Sequence, residues 1–287
     1  MRWTPGGRSE DVEDVRGEGG GSGFRLRGPH LGIGGFLVVL VLSLLFKRDL
    51  FSLFGIGNVG GPATTTASRT VPRAPEDDRQ VQFVSFVLDD VQKTWSQAFA
   101  QANRPYPHAK LVLFSDETRS GCGFAEAASG PFYCPEDQKV YIDLAFFQEL
   151  KTRFGAPGEF AQAYVIAHEI GHHVQNLLGI DGKVRQLQAR NPSRARDLSI
   201  GVELQADCLA GVWAHSTEER NVLETGDVES GLAAAAAVGD DRMQRQAGRR
   251  VSPETWTHGS SQQRVDWFRR GLSAGRVDAC DTFSARP

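Results

Sequence analysis

A pair of histidines four residues apart, set in an otherwise apolar helix, most restricts what this chain can fold into. The stretch is His168-Glu169-Ile170-Gly171-His172. Around it Phe160, Ala163, Tyr164, Ala167, Ile170, Val174, Leu177 and Leu178 recur at the i, i+3, i+4 spacing of a buried stripe. The spacing predicts a helix that starts near Pro157-Gly158-Glu159 and stops at Gly179, a residue that tolerates left-handed backbone. At about 100° per residue, His168 and His172 return to nearly one azimuth beside that stripe. An apolar helix brings two imidazoles and a carboxylate near its core at a cost unless something pairs with them. Two such histidines can grip one tetrahedral zinc from a single helix face. Glu169 is then placed to take a proton from a metal-bound water without being a ligand. His173 points about 140° away from His168 by the same arithmetic and receives no metal role. Gly171 either packs against another backbone or admits a substrate.

A hydrolytic zinc needs a third protein ligand and one open position. Residues 193–219 read as a second long helix, with Glu203 and Asp207 one turn apart among Ile200, Val202, Leu204, Leu209, Val212 and Trp213. Two carboxylates on one face of such a helix are costly to bury unless something cationic meets them. Glu203 is therefore the expected third ligand. Asp207 is the expected acceptor for the second ring nitrogen of a ligand histidine. The competing reading is a solvated acidic strip. His215 is a rival ligand that no spacing recommends. A carboxylate-bridged di-iron site needs a second Glu-x-x-His, and Glu254 and His258 are one residue too far apart.

Residues 1–30 are rich in Gly, Arg and acids and are expected to form a disordered tail. Residues 31–46 are an almost unbroken apolar run closed by Lys47-Arg48-Asp49. As a helix the run spans about 24 Å against a bilayer core of about 30 Å. Snorkelling of Lys47 and Arg48, or a second apolar stretch at 50–56, makes up the difference. A cleaved signal peptide fits poorly, because no small-residue cleavage site closely follows. The expectation is a transmembrane signal anchor at 31–46, a flexible linker at 47–75 and one domain over 76–287. Flanking charge leans slightly toward a cytoplasmic N-terminus. Cys122, Cys134, Cys208 and Cys280 all follow the anchor and contain no C-x-x-C pair. Their even count suits two disulfides, Cys122–Cys134 and Cys208–Cys280, and an extracytoplasmic domain. Four buried free thiols in a cytosolic domain are the alternative.

Further elements are expected as a helix over 77–101, a strand over 110–114 and a hairpin of 132–134 with 139–143. Helical pattern continues over 227–246, and a last helix opens on a capping box, with Ser260 as N-cap and Gln263 at N3. Residues 121–133 are a candidate edge strand for an extended substrate, or an ordinary hairpin. His258, just before the cap, could donate to the oxyanion of a tetrahedral intermediate, against the plainer reading of a surface loop histidine. Tyr141 and Tyr164 are weaker candidates. A net charge of −3 and the lack of a basic cluster argue against nucleic acid as a partner.

His-Glu-x-x-His followed by Glu203-x-x-x-Asp207 resembles the gluzincin metallopeptidases. The chain more closely resembles the bacterial neutral zinc metallopeptidase family. The matching stretches are Met1-Arg2-Trp3, 119–124, 130–135, 168–175, 203–208 and 257–264. The resemblance implies a single-pass membrane protein with an extracytoplasmic zincin-like domain, α+β and mostly helical with a small antiparallel sheet, holding one zinc ion. The activity expected on that basis is a membrane-anchored zinc endopeptidase acting on a peptide or protein substrate. The other reading is a zinc-stabilised, catalytically inactive extracytoplasmic binding protein. No particular substrate is implied.

Overall fold

The computed structural model describes residues 1–17, 75–126 and 130–284. The expected anchor at 31–46 and nearly all of the linker at 47–75 lie outside them. Among the described residues no helix is long and apolar enough to cross a membrane. In chain order the elements are β1 (Val12–Asp14), α1 (Pro75–Gln101), β2 (Lys110–Phe114), β3 (Glu117–Ser120), β4 (Gly123–Glu126), β5 (Phe132–Cys134) and β6 (Lys139–Asp143). The helices α2 (Ala145–Thr152), α3 (Glu159–Leu178), α4 (Ile180–Arg190), α5 (Ala195–Glu219), α6 (Asp227–Ala237), α7 (Asp240–Gln246) and α8 (Ser261–Ala274) follow. The class is α+β and mostly helical, as expected.

Alternation along β2 and β6 sets the layers. Leu111, Leu113, Val140 and Ile142 face the main core with Val84, Val87, Leu88 and Val91 of α1 and the apolar stripe of α3. Val112, Phe114 and Tyr141 point the other way into a smaller cluster with Cys134. The sheet has the order β1-β2-β6-β5 and is not simply antiparallel. β1 pairs with β2, and β2 with β6, in parallel; only β5–β6 is the expected antiparallel hairpin. Parallel neighbours need long connections, and reading adjacent segments detects only the short hairpin.

Three expectations are corrected. Residues 1–16 are not a disordered tail. The Met1 ammonium lies 2.9 Å from Asp227, Trp3 Nε1 donates to Glu159 at 2.9 Å, and Val12 sits opposite Leu111. A few apolar anchors (Met1, Trp3, Val12) outweigh a polar composition. The helical stretch 227–246 breaks at Val238-Gly239, where Gly239 has extended backbone (φ −71°, ψ 140°) and lies so close to the start of α8 that a Cβ would stand 2.4 Å from the Ser261 backbone nitrogen. The candidate strand 121–133 is divided between β4 and β5, and β4 turns back on β3 instead. Both disulfides are formed. Cys122–Cys134 ties the β3–β4 hairpin to β5, and Cys208–Cys280 ties α5 to the turn after α8.

Candidate metal centre

Helix α3 ends as expected, on a left-handed Gly179. It crosses α5 at Gly171, where a Cβ would lie 3.0 Å from the Ala206 carbonyl oxygen and 3.2 Å from its Cα. Gly171 is therefore a packing glycine. The close approach carries Glu203 and Asp207, on either side of Ala206, against the two histidines.

The donors meet. His168 Nε2 lies 3.4 Å from Glu203 Oε2, and His172 Nε2 lies 3.6 Å from Glu203 Oε1. Candidate ligand atoms of these three residues all fall within 4.8 Å of one another. Bonds of about 2.0–2.1 Å in a tetrahedron put neighbouring donors about 3.3 Å apart, so the spacing fits zinc. The histidine tautomers fit as well. His168 Nδ1 donates to Asp207 Oδ1 at 2.9 Å. His172 Nδ1 donates to Gln175 Oε1 at 2.8 Å, since the Gln175 amide nitrogen donates to Val202 O and Gln205 Oε1. With Nδ1 so engaged, each imidazole in its neutral form would present its Nε2 lone pair on the Glu203 side, the arrangement that supporting partners impose on metal-binding imidazoles.

Asp207 is the hub of the support. It is fully buried and accepts from His168, from the Tyr164 hydroxyl and from both arms of Arg264: Nε to Oδ2 at 2.8 Å and Nη2 to Oδ1 at 2.9 Å. Arg264 Nη2 also lies 3.3 Å from each ring nitrogen of His168, a position over the imidazole face. Burial disfavours the Asp207 carboxylate, but Arg264 and His168 hold its pKa below the usual range. Burial likewise opposes ionised Glu203, and His172 and His168 pull its pKa far down. Burial opposes the His168 imidazolium, and Asp207 more than offsets it, raising the pKa to about 9. Glu169 differs. Burial pushes its pKa up, only partly countered by the two histidines.

Arg264, Tyr164 and Gln175 were not assigned these roles from sequence. The signal for Arg264 was present: Arg264, Phe268 and Gly271 form the buried stripe of α8, and an arginine in a stripe requires a buried anion. It is the cation that the two carboxylates called for. Tyr164 gives its hydroxyl proton to Asp207, and Tyr141 gives its own to Asp137, so both donors already have an acceptor within the fold. His215 donates to the Leu272 carbonyl and stands apart from the triad. His173 has a structural task. Its Nε2 donates to Pro107 O, and its Nδ1 accepts from Tyr133, which anchors β5 to α3.

His258 lines the same cavity, of about 810 Å³, as His168, Glu169, His172 and Glu203. Asp240 shapes its loop. The carboxylate oxygen Oδ2 accepts backbone N–H bonds from Thr257, His258 and Gly259, and Oδ1 lies 3.2 Å from His258 Nδ1. That hydrogen bond raises the His258 pKa against the effect of burial.

Comparison with known proteins assigns a family. The family model described as "Putative neutral zinc metallopeptidase" matches residues 1–283. Uncharacterized protein YpfJ of Escherichia coli (strain K12) is 47% identical over 290 residues, covering 99% of both chains. Uncharacterized protein Rv2575 of Mycobacterium tuberculosis (strain ATCC 25618 / H37Rv) is 46% identical over 208 residues, 69% of this chain and 68% of its own. No solved structure matches significantly. With a family model spanning nearly its whole length and relatives close to half identical, the chain belongs to the family described as "Putative neutral zinc metallopeptidase".

Proposed function

We propose that this chain is a zinc endopeptidase in which His168, His172 and Glu203 hold the ion. The observation that carries the reading is three converging donors beside a buried, protonatable Glu169 in an open cavity. A structural zinc is usually closed by four protein ligands, and three leave a position for water, which speaks against a purely binding role. When bound, zinc supplies Lewis-acid polarisation of a peptide carbonyl and acidifies a coordinated water. Glu169 takes the proton of the attacking water and passes it to the leaving amine. Burial raises its pKa, which makes the carboxylate a stronger proton acceptor. His258, held by Asp240, donates to the developing oxyanion. Asp207, backed by Arg264 and Tyr164, fixes the tautomer and tilt of His168, and Gln175 does the same for His172.

The two disulfides support an extracytoplasmic location. Met1–Arg16 and Arg73–Pro287 belong to one compact unit. A single crossing at 31–46 with a cytoplasmic N-terminus would leave them on opposite sides of the membrane, so we propose that the two segments share the extracytoplasmic side.

Replacing Glu169 with Gln tests the proposal. The variant is expected to bind stoichiometric zinc and to lose at least about 100-fold in peptide cleavage, the scale of general-base catalysis. Cleavage at the wild-type rate would remove Glu169 from the mechanism.

A further inference from the structure

The chain near its C-terminus runs back along α5, the helix that carries Glu203 and Asp207. The Cys208–Cys280 disulfide holds one end of the stretch 280–283, next in sequence to Asp207. At the other end the Thr282 hydroxyl donates to the Gly201 carbonyl at 2.6 Å. Gly201 leaves room there for an aromatic ring, since a Cβ would stand 3.0 Å from Phe283. Between these ties the Gln205 amide nitrogen donates to the Cys280 carbonyl at 2.9 Å. Residues 280–283 thus strap the turn of α5 that presents Glu203.

Two glutamines join this strap to His172, and their polarity runs one way. A backbone carbonyl can only accept. The Cys280 carbonyl therefore turns the amide nitrogen of Gln205 toward itself and the Gln205 Oε1 toward Gln175. Gln175 answers with its own amide nitrogen, which donates to Gln205 Oε1 at 3.0 Å and to the Val202 carbonyl at 2.8 Å. Its Oε1 is left for His172 Nδ1, at 2.8 Å. That acceptor requires a proton on Nδ1 and leaves Nε2 free to bind metal. Glu203 Oε1, 3.6 Å from Nε2, favours the opposite tautomer, so the proton is contested and the amides tip the balance. Both glutamines are buried. A flipped amide would set donor against donor at one end and acceptor against acceptor at the other, with no water to relieve either.

We infer that the strap 280–283 is a positioning element of the proposed zinc site, a reading on which its role rests. Through Gln205 and Gln175 it holds His172 in the Nδ1–H tautomer. Gln205 is then a positioning residue that touches neither metal nor substrate. The disulfide acquires a task beyond stability, because it fixes the Cys280 carbonyl, 72 residues from Cys208, at the head of the amide chain.

The test compares the full chain with Gln205→Met, which keeps side-chain length and removes both polar ends, and with the double variant Cys208→Ser/Cys280→Ser. Nitrogen NMR shifts of His172 in the metal-free protein report the tautomer of the neutral ring, and chelator competition reports zinc affinity. Gln205→Met is expected to move His172 toward the Nε2–H tautomer and to weaken zinc binding about tenfold, the low end for groups that support a ligand histidine. The disulfide-free variant should shift both readouts in the same direction. A purely structural strap would lower the urea midpoint of both variants and leave the tautomer as in wild type, and that result would overturn the inference. An equal tautomer change in Cys122→Ser/Cys134→Ser, which opens the other disulfide, would mark general loosening and overturn it too. Wild-type zinc binding tests the site itself. A tautomer that follows Gln205 in a chain that binds no zinc would keep the amide chain and reject the zinc reading; zinc bound equally by wild type and Gln205→Met, with one tautomer, would do the reverse.

Discussion

Asp207 and Arg264 are both almost fully buried, and their charges are tolerable only because each completes the other's hydrogen bonds. A buried ion pair is weak evidence for stability, but removing one partner strands the other at a cost of about 3–5 kcal/mol. Arg264→Ala is expected to lower unfolding stability by that amount in urea denaturation. Zinc affinity should fall about 10- to 100-fold in a chelator competition titration, as for other groups that support a ligand histidine. Arg264→Lys keeps the charge but not the two-armed geometry, and should fall between Ala and wild type. His258 provides a pH-dependent readout. Its hydrogen bond to Asp240 raises its pKa above the ordinary 6.5. A raised histidine contributes stability fully below pH 6.5, and the contribution is lost as pH climbs through the folded-state value. NMR titration should find His258 still partly protonated above pH 6.5, and Asp240→Asn should move it back down. An unchanged titration in that variant would separate Asp240 from the site.

At the scale of elements, the α3–α5 crossing is the joint on which the triad depends. Gly171 lets the Ala206 backbone approach so closely that no side chain fits between them. Gly171→Ala is expected to cost about 1–3 kcal/mol, as overpacking in a tight interior does. Because the two helices carry the donors separately, the same change should weaken zinc binding by a factor that exceeds its effect on a distant core site. The α5–α8 contact follows the same rule. A Cβ at Gly271 would fall 1.9 Å from the Cys208 carbonyl, so α8 seats directly on α5 and delivers Arg264 to Asp207. Helix periodicity showed which face of each element is apolar. It did not show which two faces touch, because that depends on where small residues permit approach.

For the molecule as a whole, the docking of Met1–Arg16 onto α3, α6 and β2 has the largest consequence. In the proposed arrangement both flanks of 17–72 share one compartment. Exposed cysteines placed at Thr4 and Arg276 should therefore react together, or be protected together, with a membrane-impermeant thiol reagent in intact cells. Labelling of one but not the other would show that the chain crosses once and that its first residues do not dock.

The sequence by itself determined the features that are local. Helices α3, α5 and α8, the shared face of His168 and His172, the shared face of Glu203 and Asp207, and the Ser260–Gln263 capping box all follow from spacing within two turns. The tertiary structure alone decided how Arg264 meets Asp207, how Gln175 orients His172, why His173 holds Tyr133, and how three residues of the acidic, glycine-rich first segment add a parallel edge strand to a mixed sheet. The physical reason is one of range. Backbone geometry couples neighbours a turn apart, so their pattern is written in order along the chain. The partners of a buried charge lie 57 residues away, as Arg264 does from Asp207, and are selected only when packing brings them together.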